Sequence, residues 1–453
     1  MADNKHSALR LIAFAGPSIP IAALGLPLAV YLPPFYAGPM GLGLATVGTV
    51  FMLARIWDVL IDPLLGYLSD RFPSRWGRRR HWLVISVPIL MASSWFIFIP
   101  TGQVDANYLL AGLFGLYLGF TMILLAHMSW GAELDDDYHE RSRIQAYREG
   151  FAILGVPLAL MLPAIIEKIG GARVETERVA VMGWFIIIMV PLTVFIAVRK
   201  MGERKQRPQQ HLPMAQAIKL LATNTALRRV VTADLASGFS GSALGAMFIY
   251  EAKHVWQVGT YSSLLLLLYF FAGVVFIPVA LKVSQRFGKH RTMIAASLFN
   301  VCFVPTLFLI PPGNVLIAAL VLTFLGMNVG IPNVLYRSIM ADIGDYDEVH
   351  SGQRRTGLFY ALLTLTAKVG SAIAIGVSYW ALDLIGFDPT GANTANTLSH
   401  LNLLYVSVPF FCNMFVAFRM WGFPIGLKEQ QELRKILEER IVEEVESVET
   451  IIP

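Results

Sequence analysis

The chain has 453 residues, of which 55% are hydrophobic and 15% charged, and its mean hydropathy is +0.58. Soluble domains carry roughly 25% charged residues, so this composition excludes an ordinary soluble protein. Apolar stretches of about 20 residues recur along the chain, and a helix of that length spans a hydrocarbon core of about 30 Å. The sequence therefore predicts an all-α, polytopic membrane protein.

Twelve apolar spans are predicted along the chain, with ends placed to within about three residues. Their ranges are 10–37, 42–68, 82–101, 107–132, 146–167, 178–198, 229–250, 260–281, 290–311, 314–338, 357–385 and 399–423. The N-terminal segment lacks a small-residue cleavage site, so we expect the first span to remain in the mature protein.

Basic residues are divided unequally between the two sides of the predicted bundle. They cluster in loops after the even-numbered spans, as in RFPSRWGRRR at 71–80, whereas loops on the other side hold only Lys168, Arg173, Arg178 and Lys253. Because positively charged loops stay in the cytoplasm, both termini are predicted to be cytoplasmic and the protein to lie in the plasma (inner) membrane. This topology accounts for the sequence pI of about 9.1 without a nucleic-acid partner.

The loops divide the chain into four regions. An N-terminal six-helix half at 1–198 is followed by a central cytoplasmic loop at 199–228, the longest polar connection in the chain. A second six-helix half occupies 229–424. The tail at 425–453 alternates charge in a helical pattern, which predicts a solvated cytoplasmic helix.

Two internal repeats support two related halves. DPLLGYLSDRF at 62–72 aligns with IPVALKVSQRF at 277–287, and DYHE at 137–140 aligns with DYDE at 345–348. The first pair follows spans 2 and 8, and the second follows spans 4 and 10. A parallel repeat of two six-helix halves is typical of transporters of the major facilitator superfamily.

Two carboxylates lie inside the second span, in ARIWDVLIDPLLGYLSDR at 54–71. Asp58 and Asp62 are four residues apart, so they share one helix face. A carboxylate near the bilayer centre costs about 2.5–3.5 kcal/mol on insertion scales. The second half has Gly273 and Ile277 at the equivalent positions, so the pair is not part of a shared scaffold. Because adjacent carboxylates attract a cation or a proton, they indicate a cation site.

Two basic residues are the expected charge partners of these aspartates. Arg55 lies one turn before Asp58, and LLTLTAKVGSAIA in span 11 places Lys368 at membrane depth, one turn after Thr364. A lysine at that depth is too far from the interface to snorkel. We expect Lys368 to pair with an aspartate of span 2 when the cation is absent.

The segment GYLSDRFPSRWGRRRHW closes span 2 and enters the following loop. Gly66 is expected to permit close helix approach, and Asp70 to cap or bridge a neighbouring helix end. The polar motifs near the ends of spans 4 and 10 are assigned to the same conformational role. The predicted gating residues are Gly66, Asp70, Arg71, Gly77, Arg78, Asp137, Glu140, Arg141, Asp345 and Arg355.

Three motifs together resemble those of the glycoside–pentoside–hexuronide:cation symporters, the melibiose-permease-like group of the major facilitator superfamily. They are RIWDVLIDPLLGYLSDR with WGRRRHW, AELDDDYHERSRIQAYR, and ADIGDYDEVHSGQRRTGLFYALLTLTAKVGSA. The resemblance covers the whole chain except the extreme tail. It implies twelve helices around a central cavity and alternating access driven by Na⁺, Li⁺ or H⁺. We expect a monomer in the lipid bilayer that carries a small-molecule solute and needs no cofactor.

The resemblance implies a cation site made of Asp58, Asp62, Thr121 and Thr364. Lys368 matches the family's charged partner on span 11, and Arg148 matches an arginine on span 5 near the sugar. No metal site beyond one for Na⁺ is expected.

The chain departs from the family pattern at three places. Ile61 stands where sodium-using members have a side-chain amide, so the site loses an oxygen ligand and both Na⁺ and H⁺ stay open as the coupling ion. Leu124 replaces the span-4 aspartate that contacts sugar, and residues 11–54 contain no acidic residue. A galactoside of the melibiose kind is therefore not the expected substrate.

What remains in the predicted cavity can stack on a sugar or donate hydrogen bonds to it. The predicted substrate-binding residues are Arg148, His127, Trp130, Tyr31, Asn328, Asn333 and Tyr336.

The expected function is cation-coupled symport of a sugar, glycoside or related small solute. The alternative is a cation-coupled carrier of a lysophospholipid-like lipid, because such carriers share this fold and the span-2 aspartates, and the first span lacks acids. A drug exporter is disfavoured because GFAILGVPLAL in span 5 lacks that class's Gly-Pro-x-x-Gly-Gly motif. A scaffold has no need of charges that are costly to insert. An enzyme is not expected, because the sequence shows no nucleophile–base pair, metal spacing or phosphate loop.

Overall fold

The computed structural model describes residues 6–203, 221 and 223–439, except 73, 136, 170–173, 353–355, 434 and 438. Among the predicted gating residues, Arg355 and the side chains of Asp70 and Arg141 lie outside this description. Most of the predicted central loop and of the predicted helical tail also lies outside it, although residues 427–433 are helical.

The described part of the chain contains twelve long helices, and they confirm the predicted all-α architecture. Eleven are long and apolar enough to cross a membrane, and α7, although 26 residues long, is more polar because it carries arginine, aspartate and several serines. The helices are α1 Ala8–Ala37, α2 Leu44–Arg71, α3 Arg80–Phe98, α4 Ala106–Glu133, α5 Tyr138–Ile169, α6 Val174–Lys200, α7 Thr225–Tyr250, α8 Ser262–Phe287, α9 Lys289–Leu309, α10 Val315–Ser351, α11 Thr356–Leu384 and α12 Ala395–Met420.

Two helices extend well beyond the spans that hydropathy predicts. Helix α5 begins at Tyr138 rather than at 146, and α10 ends at Ser351 rather than at 338. Both extensions are polar, since they carry the motifs at 137–140 and 345–348. Hydropathy detects only the part of a helix that lies in hydrocarbon, whereas backbone hydrogen bonding continues past it.

Two helices are interrupted near the centre of the bundle. Helix α1 contains a π-helical turn at Pro27–Tyr31, and α10 divides into Val315–Gly326 and Ile331–Ser351, with residues 327–330 in a turn between them. Proline removes a backbone donor, which accounts for the wide turn beginning at Pro27. Irregular backbone at membrane depth is tolerated where protein or a cavity surrounds it.

The two six-helix halves meet most closely where α2 crosses α11. A Cβ atom on Gly48 would lie 2.8 Å from the Cβ of Tyr379 and 3.2 Å from the carbonyl oxygen of Gly376. One residue later, the Trp380 indole donates a hydrogen bond to the Thr49 hydroxyl at 3.0 Å. Small residues allow helix backbones to approach in this way.

Gly66 does not serve the close helix approach that the sequence suggested for it. A Cβ atom there would meet nothing within 4 Å, so the close approach on α2 falls at Gly48 instead. The hydrophobic pattern of the sequence places both glycines on α2, but it does not show which of them faces a neighbouring helix.

These two glycines provide a matched test of the α2–α11 contact. We expect Gly48→Ala to cost about 1–3 kcal/mol, because the added methyl overpacks the crossing. Gly66→Ala should be neutral or stabilising by about 0.5–1 kcal/mol, because alanine is the better helix former and has room. Thermal unfolding of the two purified variants measures the difference. Equal melting temperatures would contradict the assigned contact.

Candidate functional site

The two aspartates of α2 lie together and share one partner on α4. The Thr121 hydroxyl lies 2.8 Å from Oδ1 of Asp58 and 3.2 Å from Oδ1 of Asp62. Asp58 and Thr121 are completely buried, whereas the Asp62 side chain keeps a quarter of its surface exposed. The spacing of four residues therefore does produce one carboxylate cluster inside the bundle.

Lys368 of α11 joins this cluster from the other half of the molecule. Its Nζ donates to Oδ2 of Asp62 at 2.6 Å and lies 3.1 Å from Oδ2 of Asp58. Arg55 adds a longer contact of 3.4 Å to Asp58 and lies over the Tyr117 ring, 4.9 Å from its centroid. Two carboxylates thus face two cations, which is the arrangement that a buried charge requires.

Thr364 and Ile61 add no oxygen ligand to the cluster in this structure. The Thr364 hydroxyl donates to the carbonyl oxygen of Tyr360 in its own helix at 3.0 Å. Ile61 is buried and packs with Leu65 and Met122. The structure therefore brings together Asp58, Asp62, Thr121, Arg55 and Lys368 from the predicted set.

A cavity of about 440 Å³ lies mostly within the second half of the bundle, and none of the five residues of the aspartate cluster lines it. It is lined by α1 and α5 of the first half and by α7, α8, α9, α10 and α12 of the second. Both interrupted helices reach it, α1 through Ala29 and Val30 and α10 through Asn328 and Val329. A cavity of this size suits a small organic solute.

Only Asn328 of the seven predicted substrate residues lines this cavity. His127 and Trp130 are buried in the core of the first half, where both rings contact Phe14. The ring Nε2 of His127 lies 2.8 Å from the Phe14 carbonyl oxygen. The Trp130 indole N–H donates to the Gly202 carbonyl oxygen at 3.2 Å. Their polar atoms are thus satisfied by the backbone, and apolar packing decides their position.

Arg148 and Tyr336 have side-chain partners and do not line the cavity themselves, although Ser237, the partner of Tyr336, does line it. Arg148 donates to Gln145 at 2.8 Å and pairs with Glu149 at 2.5 Å, and the Tyr336 hydroxyl lies 2.8 Å from that of Ser237. Asn333 is exposed on α10. Helical periodicity fixes a residue's face only relative to its own helix, so it could not select the cavity side.

We call one side of the bundle the basic face, namely the side that carries the loops after the even-numbered helices. Gly77 adopts a φ of +121°, and the next three backbone N–H groups, of residues 78–80, bind the Glu203 carboxylate at 2.6–3.1 Å. The Arg78 side chain pairs with Glu133 at the end of α4, also at 2.6 Å. The loop after α2 is therefore bound to the ends of α4 and α6.

Asp137, Glu140 and Arg71, three further predicted gating residues, make contacts within their own segments of the chain. Asp137 accepts a hydrogen bond from the backbone N–H of Glu140 at 2.9 Å, which caps the start of α5. Glu140 then pairs with Arg143 at 3.1 Å. Arg71 contacts the Tyr67 hydroxyl in the preceding turn, and Asp345 lies within the polar end of α10.

A second buried charge cluster lies at the face opposite the basic face. The Glu167 carboxylate of α5 pairs with Arg178 of α6 at 3.0 Å, and it accepts hydrogen bonds from the hydroxyls of Ser262 and Ser263 of α8 at 2.8 and 2.7 Å. The Tyr31 hydroxyl lies 2.7 Å from that of Ser263. These contacts join the two halves of the molecule.

This cluster is not among the predicted sites, because the basic-residue pattern assigns Arg178 to a loop, whereas it lies in the second turn of α6. The sequence does contain an indication of this pair, because Glu167 ends the predicted fifth span and Arg178 begins the sixth. Acidic and basic residues at adjacent span ends can pair, but hydropathy does not show that the second half buries them.

Glu167→Gln tests the opposite-face cluster. We expect a loss of about 3–5 kcal/mol, because Arg178 would stay buried without its counter-charge. Glu175→Gln is the control, since Glu175 and its partner Lys253 are 37% and 43% exposed and such a pair contributes about 0–1 kcal/mol. Chemical or thermal unfolding of both variants measures the losses. A Glu167 variant as stable as the control would refute the assigned pairing.

Comparison with known proteins places this chain in a family. A family model described as MFS/sugar transport protein matches residues 13–426. The glucuronide carrier protein homolog of Escherichia coli (strain K12) is 22% identical, covering 92% of this chain and 94% of the relative. The isoprimeverose transporter of Lactiplantibacillus pentosus is 25% identical, with coverage of 84% and 81%.

Two further similarities span most of the chain. The sodium-dependent lysophosphatidylcholine symporter 1 of Gallus gallus is 22% identical, covering 92% of this chain and 86% of the relative. The crystal structure of the nucleoside transporter NupG superposes with a TM-score of 0.68 at 12% identity, covering 92% of this chain and 99% of that one. The chain therefore belongs to the MFS/sugar transport family, in its group of glycoside–pentoside–hexuronide symporters.

Proposed function

We propose that the protein is a cation-coupled symporter of a sugar, a glycoside or a related small organic solute. The observation that carries this proposal is the contact of Lys368 with Asp58 and Asp62, since it joins the two halves through charges at membrane depth. Intramembrane ionisable residues that face one another mark ion pathways in carriers. The isoprimeverose and glucuronide relatives support the solute class.

The coupling mechanism that we infer is an exchange of cations at the aspartate pair. The Lys368 ammonium occupies the carboxylate oxygens at 2.6 and 3.1 Å. A Na⁺ ion or a proton that binds Asp58 and Asp62 competes with this ammonium and weakens the α2–α11 link. Cation binding therefore changes the free-energy difference between two arrangements of the halves, which is what coupling requires.

The contacts between halves support alternating access by this mechanism. Hydrogen bonds from Ser262 and Ser263 to Glu167 close the bundle at the face opposite the basic face. If the basic face is cytoplasmic, as its arginines favour, this closure lies on the outer side and both termini lie in the cytoplasm. A plasma (inner) membrane location follows from the same orientation.

A cation-coupled carrier of a lysophospholipid-like lipid is the second candidate function. The similarity to the Gallus gallus symporter and the acid-free α1 support it. A zwitterionic headgroup needs charged partners, however, and the described lining of the cavity contains none. We therefore favour the sugar-type solute.

Asp58→Asn tests the cation site. The variant keeps the shape of the side chain but cannot carry the charge that the coupling cation needs, so we expect gradient-driven uptake to be lost at normal membrane abundance. Asp383→Asn, on the exposed surface of α11, is the control and should transport like the wild type. Uptake into membrane vesicles under imposed Na⁺ or pH gradients measures both. Wild-type uptake by Asp58→Asn would refute the site.

Lys368→Met tests the proposed exchange of cations. Without the coupling ion this variant should lose about 3–5 kcal/mol of stability, because the Lys368 charge no longer offsets the carboxylates. Adding Na⁺ or lowering the pH should then stabilise it more than the wild type, since the cation no longer displaces an ammonium group. The ion that gives this extra stabilisation identifies the coupling ion.

The control for this variant is Lys282→Met, on the exposed surface of α8. It removes the same charge and adds the same side chain away from the site, so its response to Na⁺ and pH should match the wild type. Thermal unfolding of both purified variants provides the measurement. An equal response of the two variants would contradict the exchange.

A further inference from the structure

Helix α7 is followed by a wide turn that begins with a buried carboxyl group. Residues Glu251–Val255 form this π-helical turn directly after Tyr250, beyond the predicted span at 229–250. Lys253 in the same turn pairs with Glu175 of α6 at 2.6 Å, so the turn lies where the two halves meet. It lies at the face opposite the basic face, which we call the opposite face. Single π-helical turns occur frequently at functional sites.

Glu251 has neither a counter-charge nor a hydrogen-bond partner among the described residues. Its side chain is fully buried, and both of its carboxylate oxygens are unpartnered. The two basic residues of the turn have other contacts. Lys253 pairs with Glu175, and the His254 ring lies edge-on to the Phe387 ring, with 5.2 Å between the ring centroids.

A buried carboxyl group without a counter-charge is far more stable as the neutral acid. Glu167, which is buried at the same face, has Arg178 at 3.0 Å, whereas no described cation lies beside Glu251. Taking an isolated carboxylate out of water is so costly that the group binds a proton instead. Burial accordingly raises the pKa of Glu251 to about 8. In this conformation the side chain therefore holds a proton.

Glu251 lies one turn beyond the cavity, on the side of α7 that faces it. Gly241, Gly245 and Phe248 of this helix line the cavity, and the residue three positions after Phe248 lies on the same helix face. Tyr405 of α12 also lines the cavity, and it lies close enough to Glu251 for the carboxyl group to act on its hydroxyl electrostatically. The carboxyl group is therefore placed just past one end of the cavity.

Three aromatic rings pack together at this end of the cavity. The Trp256 ring meets the Phe248 and Tyr405 rings edge to face, with centroid distances of 6.2 and 5.7 Å. Trp256 is fully buried, and its indole N–H also has no partner among the described residues. Because water does not reach Glu251 through this packing, the carboxyl group exchanges its proton only when the surrounding elements move apart.

The titratable groups around this site come from several neighbouring elements. They are Tyr405 of α12, Tyr379 of α11, Tyr269 of α8, Glu175 of α6 and Asp388 of the loop between α11 and α12. The two acidic groups act on the basic residues of the turn, and the three tyrosines are neutral near pH 7. None of them supplies Glu251 with a positive charge.

We propose that Glu251 is a proton-binding site separate from the aspartate cluster, protonated while the opposite face is closed and ionised when that face opens to water. Opening breaks the contact of Lys253 with Glu175 beside it and lets water solvate the carboxylate. A proton bound at Glu251 then favours the closed opposite face, because a ligand shifts an equilibrium toward the state that binds it more tightly. This effect does not depend on which ion binds Asp58 and Asp62.

Infrared spectroscopy of the purified full-length protein in nanodiscs tests the protonation directly. At neutral pH the wild type should show the C=O stretch of a neutral carboxylic acid, and Glu251→Gln should lose intensity in that band. Glu177→Gln, exposed on α6 at the same face, is the matched control and should keep the wild-type band. A carboxylic-acid band that is the same in the wild type and in Glu251→Gln would overturn the proposal.

The pH dependence of the Tm provides a second measurement. A glutamate in the unfolded chain has a pKa of about 4.3, whereas Glu251 in the folded protein keeps its proton up to a pKa of about 8. The folded wild type binds the extra proton between these values, so its stability should fall as the pH rises through this interval. The Tm of Glu251→Gln should fall less, and that of Glu177→Gln should follow the wild type. Parallel pH profiles of the wild type and Glu251→Gln would contradict the proton site.

Distances between two spin labels measure the opening itself. The labels are placed at Glu177→Cys and Asn396→Cys, which are exposed in α6 and α12 at the opposite face, with Cys302 and Cys412 replaced by serine. Raising the pH should shift this protein toward longer distances, and adding Glu251→Gln should keep the distances short. A pH response that is absent, or equal with and without Glu251→Gln, would overturn the link to opening. Either result leaves the symport proposal standing, since Asp58→Asn tests a separate site.

Discussion

The cost of burying an unpaired charge in hydrocarbon is the constraint on which this structure depends. Asp58 is fully buried in the bundle, and the neutralising charge of Lys368 comes from α11 of the other half. Arg55 of the same helix offsets part of this charge, and the second cation is supplied only when the halves associate. The contact of Lys368 with the aspartates holds the two halves together. In the proposed mechanism a cation replaces the ammonium group and so changes the contact between the halves, which links stability to transport.

The same constraint explains why polar groups are distributed so unevenly. Two clusters of buried charges, the aspartate cluster and the Glu167–Arg178 pair, lie where the two halves meet. The described lining of the cavity carries amides and hydroxyls instead, which need only a hydrogen bond when buried. The proposed ion site and the cavity are therefore chemically different.

The two halves share a sequence repeat but use it differently. The motif at 137–140 precedes and begins α5, where Asp137 caps the helix, whereas the matching motif at 345–348 lies within the last turns of α10. The polar residues of this motif are compatible with the start or the end of a helix when they lie outside the hydrocarbon. There, water or a neighbouring side chain can supply their hydrogen bonds. A repeat can therefore keep its residues while its helix boundary moves.

The sequence by itself determined the all-α architecture, the unequal basic loops and the carboxylate pair on α2. Length and hydropathy define a span, and a spacing of four residues places Asp58 and Asp62 on one face. Only the tertiary structure decided which polar residues face the cavity. His127 and Trp130 proved to be packed in the core, whereas Asn328 lines the cavity and Glu167 closes the opposite face. The physical reason is that a helix's own periodicity fixes the relative directions of its side chains, while its rotation against neighbouring helices is set by packing across the whole bundle.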